Sequence, residues 1–421
     1  MSRSLHASGA VARADAHPST TPLDRWLGTK LQSSIARSGV GVELWDGMSF
    51  RPDGPHVGDL LIRDRRALIA VLVNPDLQYG ELYSAGRIEV RGDLPRVVDA
   101  ISRLAIDAPL SWRERLALWT ERPNALVRAR RNIHHHYDLG NDFYRLWLDR
   151  QMVYTCAYYP TPDAALEEAQ LAKMDLVCRK LRLRPGDTVV EAGCGWGALA
   201  LHMARAYGVR VKAFNISTQQ IAYARDRAWR EGLGDRVEFI QDDYRNVSGR
   251  FDVFVSVGML EHVGRRNYAS LAAILRRVID RPNGRGLLHF IGRDRARPLN
   301  AWTRRRIFPG AYAPALSEVI SDVLEPARLS VLDVENLRIH YARTLRHWRE
   351  RYTAAESDVR AMFDDAFCRA WRLYLTASEA AFAIGFLQLF QILFVPASAD
   401  AIRWTRADLY AEPVGAPDAA R

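Results

Sequence analysis

Cysteine is scarce. Cys156, Cys178, Cys194 and Cys368 are the only four in 421 residues, and no two stand in a C-x-x-C pair or at zinc-ligand spacing. That pattern excludes a disulfide framework and predicts free thiols in a reducing compartment. Lysine is scarce for so basic a chain: Lys30, Lys173, Lys180 and Lys212 are the only lysines among 59 basic residues. The net charge of +10 is therefore carried by guanidinium groups, which suit phosphate and an anionic partner, either a membrane surface or nucleic acid. Long apolar runs are absent as well. The first twenty residues hold none of signal-peptide length and are expected to be a disordered tail. The most apolar stretch, Ala380 to Pro396, is interrupted by Gln388 and Gln391, falls short of a membrane span and is expected to be buried structure. No internal repeat is visible.

What is present is a globular composition, 48% hydrophobic and 26% charged, at a length that suggests two to three domains. Four segments are expected: a tail over 1–20, a small α+β domain over 21–115, a larger domain over 116–410 and a loose tail over 411–421. In the small domain, VGDLLIRDRRALIAVLV carries two apolar runs around the polar Arg63-Asp64-Arg65-Arg66, which predicts a hairpin. GRIEVRGDLPRVVDAISRLA predicts a strand, a turn at Gly92-Asp93 and a helix. Ser111 to Asn132, with Arg128, Arg130 and Arg131, predicts a helical linker. From Thr188 onwards β-branched runs alternate with helical patterns, which implies a parallel sheet with helices on both faces. Leu329–Val334 and Leu387–Phe394 are the expected closing strands.

In VVEAGCGWGALA an apolar strand runs straight into a G-x-G-x-G turn, followed by a helix. Glycines are needed where backbone turns sharply and approaches a ligand. The spacing differs from the dinucleotide G-x-G-x-x-G. A compact turn with the carboxylate Glu191 at the strand end suits the ammonium of S-adenosylmethionine. The second strand ends at Asn215, where adenosine-binding folds often place an acid against the ribose; an amide still hydrogen-bonds a hydroxyl. Asp242 and Asp243 follow the third strand, as adenine contacts or as solvated helix-start carboxylates.

HHHYDLGNDFYRLWLDRQMVYTCAYY, VVEAGCGWGALA, SVGMLEHVGRRNY, GLLHFIG, IFPGAYAPALSEV and the His340 to Leu345 stretch, in that order, closely resemble the cyclopropane-fatty-acyl-phospholipid synthase family. The resemblance spans roughly Asn132 to Phe394. It implies an α/β fold, a Rossmann-like class I methyltransferase sheet beside the smaller N-terminal α+β domain. It implies methylene transfer from S-adenosylmethionine to a cis double bond of an unsaturated phospholipid acyl chain. It further implies a cytoplasmic homodimer at the inner face of the membrane, with no nucleic-acid partner.

Carried over by motif, a bicarbonate ion would be held by the Cys156 backbone, the Glu261 and His289 side chains, the Ile291 backbone and the Tyr341 hydroxyl. The cofactor set would be Tyr154, Thr155, Glu191, Gly193, Cys194, Gly195, Asn215, Ile216, Gln220, Asp243 and Tyr244. Taken singly, His289 reads as a core histidine, Glu261 as a helix-start carboxylate and Cys156 as an inert thiol; their joint occurrence in these motifs reverses that. Tyr137, Phe143, Tyr158 and Trp348 are candidates to stabilise a carbocation, with core packing as the alternative for each. The triplet His134-His135-His136 is not read as a metal site, because adjacent side chains diverge. The chain departs from the family pattern at Glu191, usually Asp, at Asn215, usually a hydroxyl residue, and at Ala383, usually Arg. Two other outcomes stay open: a methyl- or methylene-branched acyl product, and a lipid-binding protein without turnover.

Overall fold

The computed structural model describes residues 19–106, 109–110, 112–119, 139–279, 281–399, 402 and 404–410. The cluster Arg128, Arg130 and Arg131, the triplet His134-His135-His136, Tyr137 and the tails over 1–18 and 411–421 lie outside them. The chain divides into two compact units, Met1–Ile101 and Ser102–Arg421.

The first unit opens with helix Pro22–Ile35, started by a capping box in which Thr21 and Asp24 satisfy each other's backbone amides. Asp24 is buried and gripped at both oxygens by Arg65, at 2.6 Å each, which holds its carboxyl far below the usual range. Strands β1 (Val40–Glu43), β2 (Ser49–Phe50), β3 (Gly58–Ile62) and β4 (Ile88–Arg91) form a sheet of order β2-β1-β3-β4, with β1 and β3 parallel. The expected hairpin over VGDLLIRDRRALIAVLV is not there. Its first run is β3, but its second is helix Arg65–Val73. The polar cluster read as a turn is a helix start: the Asp64 side chain accepts from the Ala67 amide at 2.9 Å. The next expectation holds, since β4 is followed by helix Leu94–Arg103.

The second unit is built on strands β5 (Thr188–Ala192), β6 (Arg210–Asn215), β7 (Val237–Gln241), β8 (Val253–Val257), β9 (Arg285–Gly292), β10 (Leu329–Asn336) and β11 (Gln388–Pro396). Their order is β10-β11-β9-β8-β5-β6-β7, and only β11 runs against the rest. The expected α/β fold and both closing strands are present. The strands are apolar on both sides because both sides are covered. On one face Val189, Val211, Val255, Leu287 and Leu393 pack under helices Leu166–Lys180, Ala198–Tyr207 and Thr218–Arg230. On the other Val190, Phe254, Leu288, Phe290 and Ile392 pack under helix Tyr268–Val278 and the segment Val319–Leu324. Each such side chain contributes roughly 1.5–3 kcal/mol.

The chain leaves β5 outwards to β6 and β7, then returns to lay β8 on the other side of β5. In an open parallel sheet that reversal parts the loops at the strands' carboxyl ends and leaves a crevice there.

Candidate active site

A cleft of about 800 Å³, part of it open to solvent, occupies that crevice. Glu191, Gly193, Cys194 and Gly195 line it from the end of β5, Asn215 and Gln220 from the end of β6, and Tyr154 and Thr155 from the segment before helix Leu166–Lys180. The turn comes so close to the cleft because its backbone is left-handed. Gly195 has φ +54° with open space where a side chain would begin, and Gly197 has φ +84° with the Phe239 ring only 2.6 Å from that position. Asn215 donates to Gln220 Oε1 at 2.7 Å and to the Gly195 carbonyl at 3.2 Å, so the amide at this position also braces the glycine turn.

Ile216, Asp243 and Tyr244 are not among the cleft-lining residues. The Asp243 carboxylate receives the Arg245 guanidinium at 2.7 and 2.9 Å and caps its own turn. Asp242 in turn accepts from Asn246.

The other five predicted positions, Cys156, Glu261, His289, Ile291 and Tyr341, are not among the lining residues either, but are tied to them or to one another by chain and hydrogen bonds. Cys156 follows the lining residue Thr155, and its thiol lies 3.9 Å from the Leu337 carbonyl, which also accepts from the Tyr341 amide. Glu261 precedes the lining residue His262, and its Oε1 accepts from the Ile291 amide at 2.6 Å. The His289 carbonyl accepts from the amide of Gly258, another lining residue. Lys173 is the common neighbour, within electrostatic reach of Cys156, Glu191 and His289. Tyr341 packs against Phe382 and Trp348, and Trp348 against Tyr154, with ring centroids 4.5, 6.0 and 5.2 Å apart. Phe143 belongs instead to an aromatic core with Phe363, Phe367 and Trp371, and Tyr158 stacks on His340.

Burial sets the electrostatics. It pushes the Glu191 carboxyl up to about 8, against the opposing pull of Lys173, and that of Glu261 up to about 7. Burial likewise holds Lys173 down to about 8 and His289 well below the usual histidine range, with Lys173 and Lys180 adding repulsion in the latter case. Cys156 is pushed far up, an inert thiol whose backbone alone is available for chemistry. Three buried polar atoms here have no partner among the described residues: Glu191 Oε2, Glu261 Oε2 and His289 Nε2. A buried polar atom of this kind is costly unless water or a ligand satisfies it.

Two participants escaped the sequence reading. Lys173 reaches Thr155 Oγ1 at 3.0 Å from a helix whose facing only the tertiary structure fixes. Its signal was its rarity in a chain that otherwise uses arginine. Gln391 bonds His289 Nδ1 at 3.0 Å. Its signal was an amide inside the most apolar stretch of the chain.

Residues 124–392 match the family described as mycolic acid cyclopropane synthetase. The chain is 37% identical over 391 residues to a probable fatty acid methyltransferase of Pseudomonas putida, covering 88% of this chain and 95% of the relative. It is 40% identical over 261 residues to the cyclopropane-fatty-acyl-phospholipid synthase of Escherichia coli, covering 62% and 66% respectively. Among solved structures it is similar to the mycolic acid cyclopropane synthase CmaA1 complexed with SAH and CTAB, at 29% identity and TM-score 0.59, covering 63% of this chain and 97% of that one. The glycine turn at the switch point, the carboxylate beside it and these likenesses agree, and the chain belongs to the mycolic acid cyclopropane synthetase family of S-adenosylmethionine-dependent methyltransferases.

Proposed function

We propose that this enzyme transfers a methylene group from S-adenosylmethionine to the cis double bond of an unsaturated phospholipid acyl chain, closing a cyclopropane ring with bicarbonate as the base. The observation that carries the reading is the pair of buried, unpartnered atoms Glu261 Oε2 and His289 Nε2 beside the cofactor cleft. A carboxylate accepts and an imidazole N–H donates, so a small ion bearing both an O–H and ionised oxygens satisfies the two together.

When bound, S-adenosylmethionine would supply an electrophilic methyl carbon to the alkene, whose attack would leave positive charge on the acyl chain. Glu261 and His289, with the Cys156 backbone and the Tyr341 hydroxyl, would hold bicarbonate, which would supply the base for the proton of the transferred carbon. Ile291 works through Glu261, because its amide hydrogen already goes to Oε1. Glu191 receives the ammonium of the methyl donor. Tyr154 lines the cleft and Trp348 packs on it with ring centroids 5.2 Å apart, aromatic surroundings that favour positive charge. With Cys156 and Trp348 fully buried, water is kept from the cation.

The substrate side rests on charge. No described helix is long and apolar enough to cross a membrane. A net +10 instead favours salt-sensitive association with an anionic leaflet, at about 1 kcal/mol for each basic group near the surface. Incubation with the methyl donor and vesicles of unsaturated phospholipid should add the mass of one CH₂ per modified chain, and Glu261→Ala should abolish the gain. No product from any unsaturated lipid, or full product from Glu261→Ala, would contradict the reading.

A second reading, a methyl- or methylene-branched acyl product, is favoured by the extent of one likeness. The alignment with the probable fatty acid methyltransferase covers 88% of this chain, against 62% for the cyclopropane synthase. The two share the alkene and the cation: a methyl-branched alkene results when a neighbouring chain carbon loses the proton, and a methylene branch when hydride first shifts along the chain and the transferred carbon then loses its proton.

A further inference from the structure

His289 stands in a row of polar residues that crosses three strands. In register it faces Gln391 on β11, which in turn faces Glu335 on β10. Side chains directly opposite in antiparallel strands share a face, so the three project to the same side of the sheet. Helix Leu166–Lys180 covers that side, and its last residue reaches down into the row. Lys180 Nζ donates to Glu335 Oε2 at 2.5 Å and to Gln391 Oε1 at 2.7 Å. Gln391 Nε2 then meets His289 Nδ1 at 3.0 Å. Gln391 is fully buried, and Lys180 and His289 nearly so.

These contacts decide a question that heavy-atom positions usually leave open, namely which way an amide points and which imidazole nitrogen carries the proton. An ammonium has donors only, so the group facing Lys180 must be the oxygen of Gln391. The NH₂ group therefore faces His289, and an NH₂ group donates. Nδ1 must accept, and an accepting nitrogen carries no proton. A neutral ring then holds its single proton on Nε2, the atom left buried without a partner beside the cofactor cleft. A doubly protonated ring is excluded by the same donor, and independently by burial and by the positive charge of Lys173 and Lys180.

We propose that Gln391, oriented by Lys180 and Glu335, is a positioning residue that fixes His289 as the Nε2–H tautomer and so makes it a hydrogen-bond donor to the base of the reaction. The catalytic half rests on the reading of His289 as a ligand of that base; the tautomer half does not. Glu335 anchors the relay from the rim, its side chain 34% exposed, and passes a fixed polarity inwards through Lys180 and Gln391 to the ring. A core histidine with no such task would be satisfied by any partner at Nδ1. This one is given a partner of one polarity only.

The test uses the full chain with ¹⁵N-labelled histidine, the His289 ring signals being assigned by their loss in His289→Asn. The wild type should show an unprotonated Nδ1 and a protonated Nε2. Gln391→Glu keeps the size of the side chain and the pairing with Lys180 but presents an acceptor to the ring, so Nδ1 should become protonated. kcat should fall roughly 100-fold, with the KM for the methyl donor little changed. Lys180→Met removes the group that orients the amide without adding charge, and should give a mixture of tautomers and an intermediate kcat. Lys180→Arg, which still only donates, should restore the wild-type signals and most of kcat. A protonated Nδ1 in the wild type, or a tautomer unmoved by Gln391→Glu, would overturn the proposal. A reversed tautomer with wild-type kcat would overturn the positioning role. A wild type with the expected tautomer but no lipid product would instead sink the proposed function and leave the tautomer assignment standing.

Discussion

Glu191 ends β5 with one carboxylate oxygen buried and unpartnered, and burial has lifted its pKa to about 8. At pH 7 the ligand-free protein therefore carries it mostly protonated. A cation seated beside it favours the ionised form and pulls the pKa back down, so binding must expel the proton. Titration calorimetry of S-adenosylmethionine at pH 7, in buffers of different ionisation enthalpy, should show release of close to one proton. The same binding should weaken by up to about tenfold for each pH unit lowered from about pH 8, levelling off only below the lower pKa that Glu191 has in the complex. Glu191→Gln should release none and bind roughly 10- to 100-fold more weakly, the loss expected for a hydrogen bond to a charged group. Binding by the wild type without proton release would remove Glu191 from the ammonium site.

At the scale of elements, the glycine turn separates two requirements that its sequence runs together. Gly197 starts helix Ala198–Tyr207 against the Phe239 ring and the Ala224 methyl, so an added Cβ has nowhere to go. Gly195 has nothing within 4 Å of that position and opens on the cleft. Gly197→Ala should cost about 2 kcal/mol or more of folding stability, from strain and overpacking together. Gly195→Ala should cost only about 1 kcal/mol in denaturant titrations but weaken the methyl donor at least roughly tenfold. Equal effects of the two on both readouts would refute the division.

The turn itself was legible because period, glycine spacing and a strand-end carboxylate all sit within a few residues. The helix Arg65–Val73 was not, since LIAVLV fits a strand as well as a helix. What decides it is Asp64 capping the Ala67 amide, with Ala67, Leu68 and Val71 facing inwards while Ile69 and Val73 stay exposed. The row Glu335, Gln391 and His289 was illegible for a different reason. Its members are brought together by strand register, which one sequence read alone does not contain.

For the whole molecule, the order β10-β11-β9-β8-β5-β6-β7 makes β5, β8 and β9 neighbours, with the cofactor turn after β5, Glu261 after β8 and His289 on β9; on the proposed function, that is where methyl donor and base would meet. Alternation of apolar strands and helices foretold that sheet. The supporting shell of Lys173, Lys180 and Gln391 came only from the packing. The remaining choice, between a ring and a branch, is a choice of how the cation is quenched: by ring closure as the transferred carbon loses a proton, by proton loss from a chain carbon, or by a hydride shift before proton loss. Incubation with S-adenosylmethionine bearing a trideuterated methyl group and unsaturated phospholipid vesicles, followed by mass spectrometry and NMR of the acyl chains, reads that choice directly. The account predicts cyclopropyl signals and a transferred carbon that arrives as CD₂, one deuterium having been lost to the base. A branch signal in place of the ring, with the transferred carbon arriving as CD₃ in a methyl branch or as =CD₂ in a methylene branch, would contradict it.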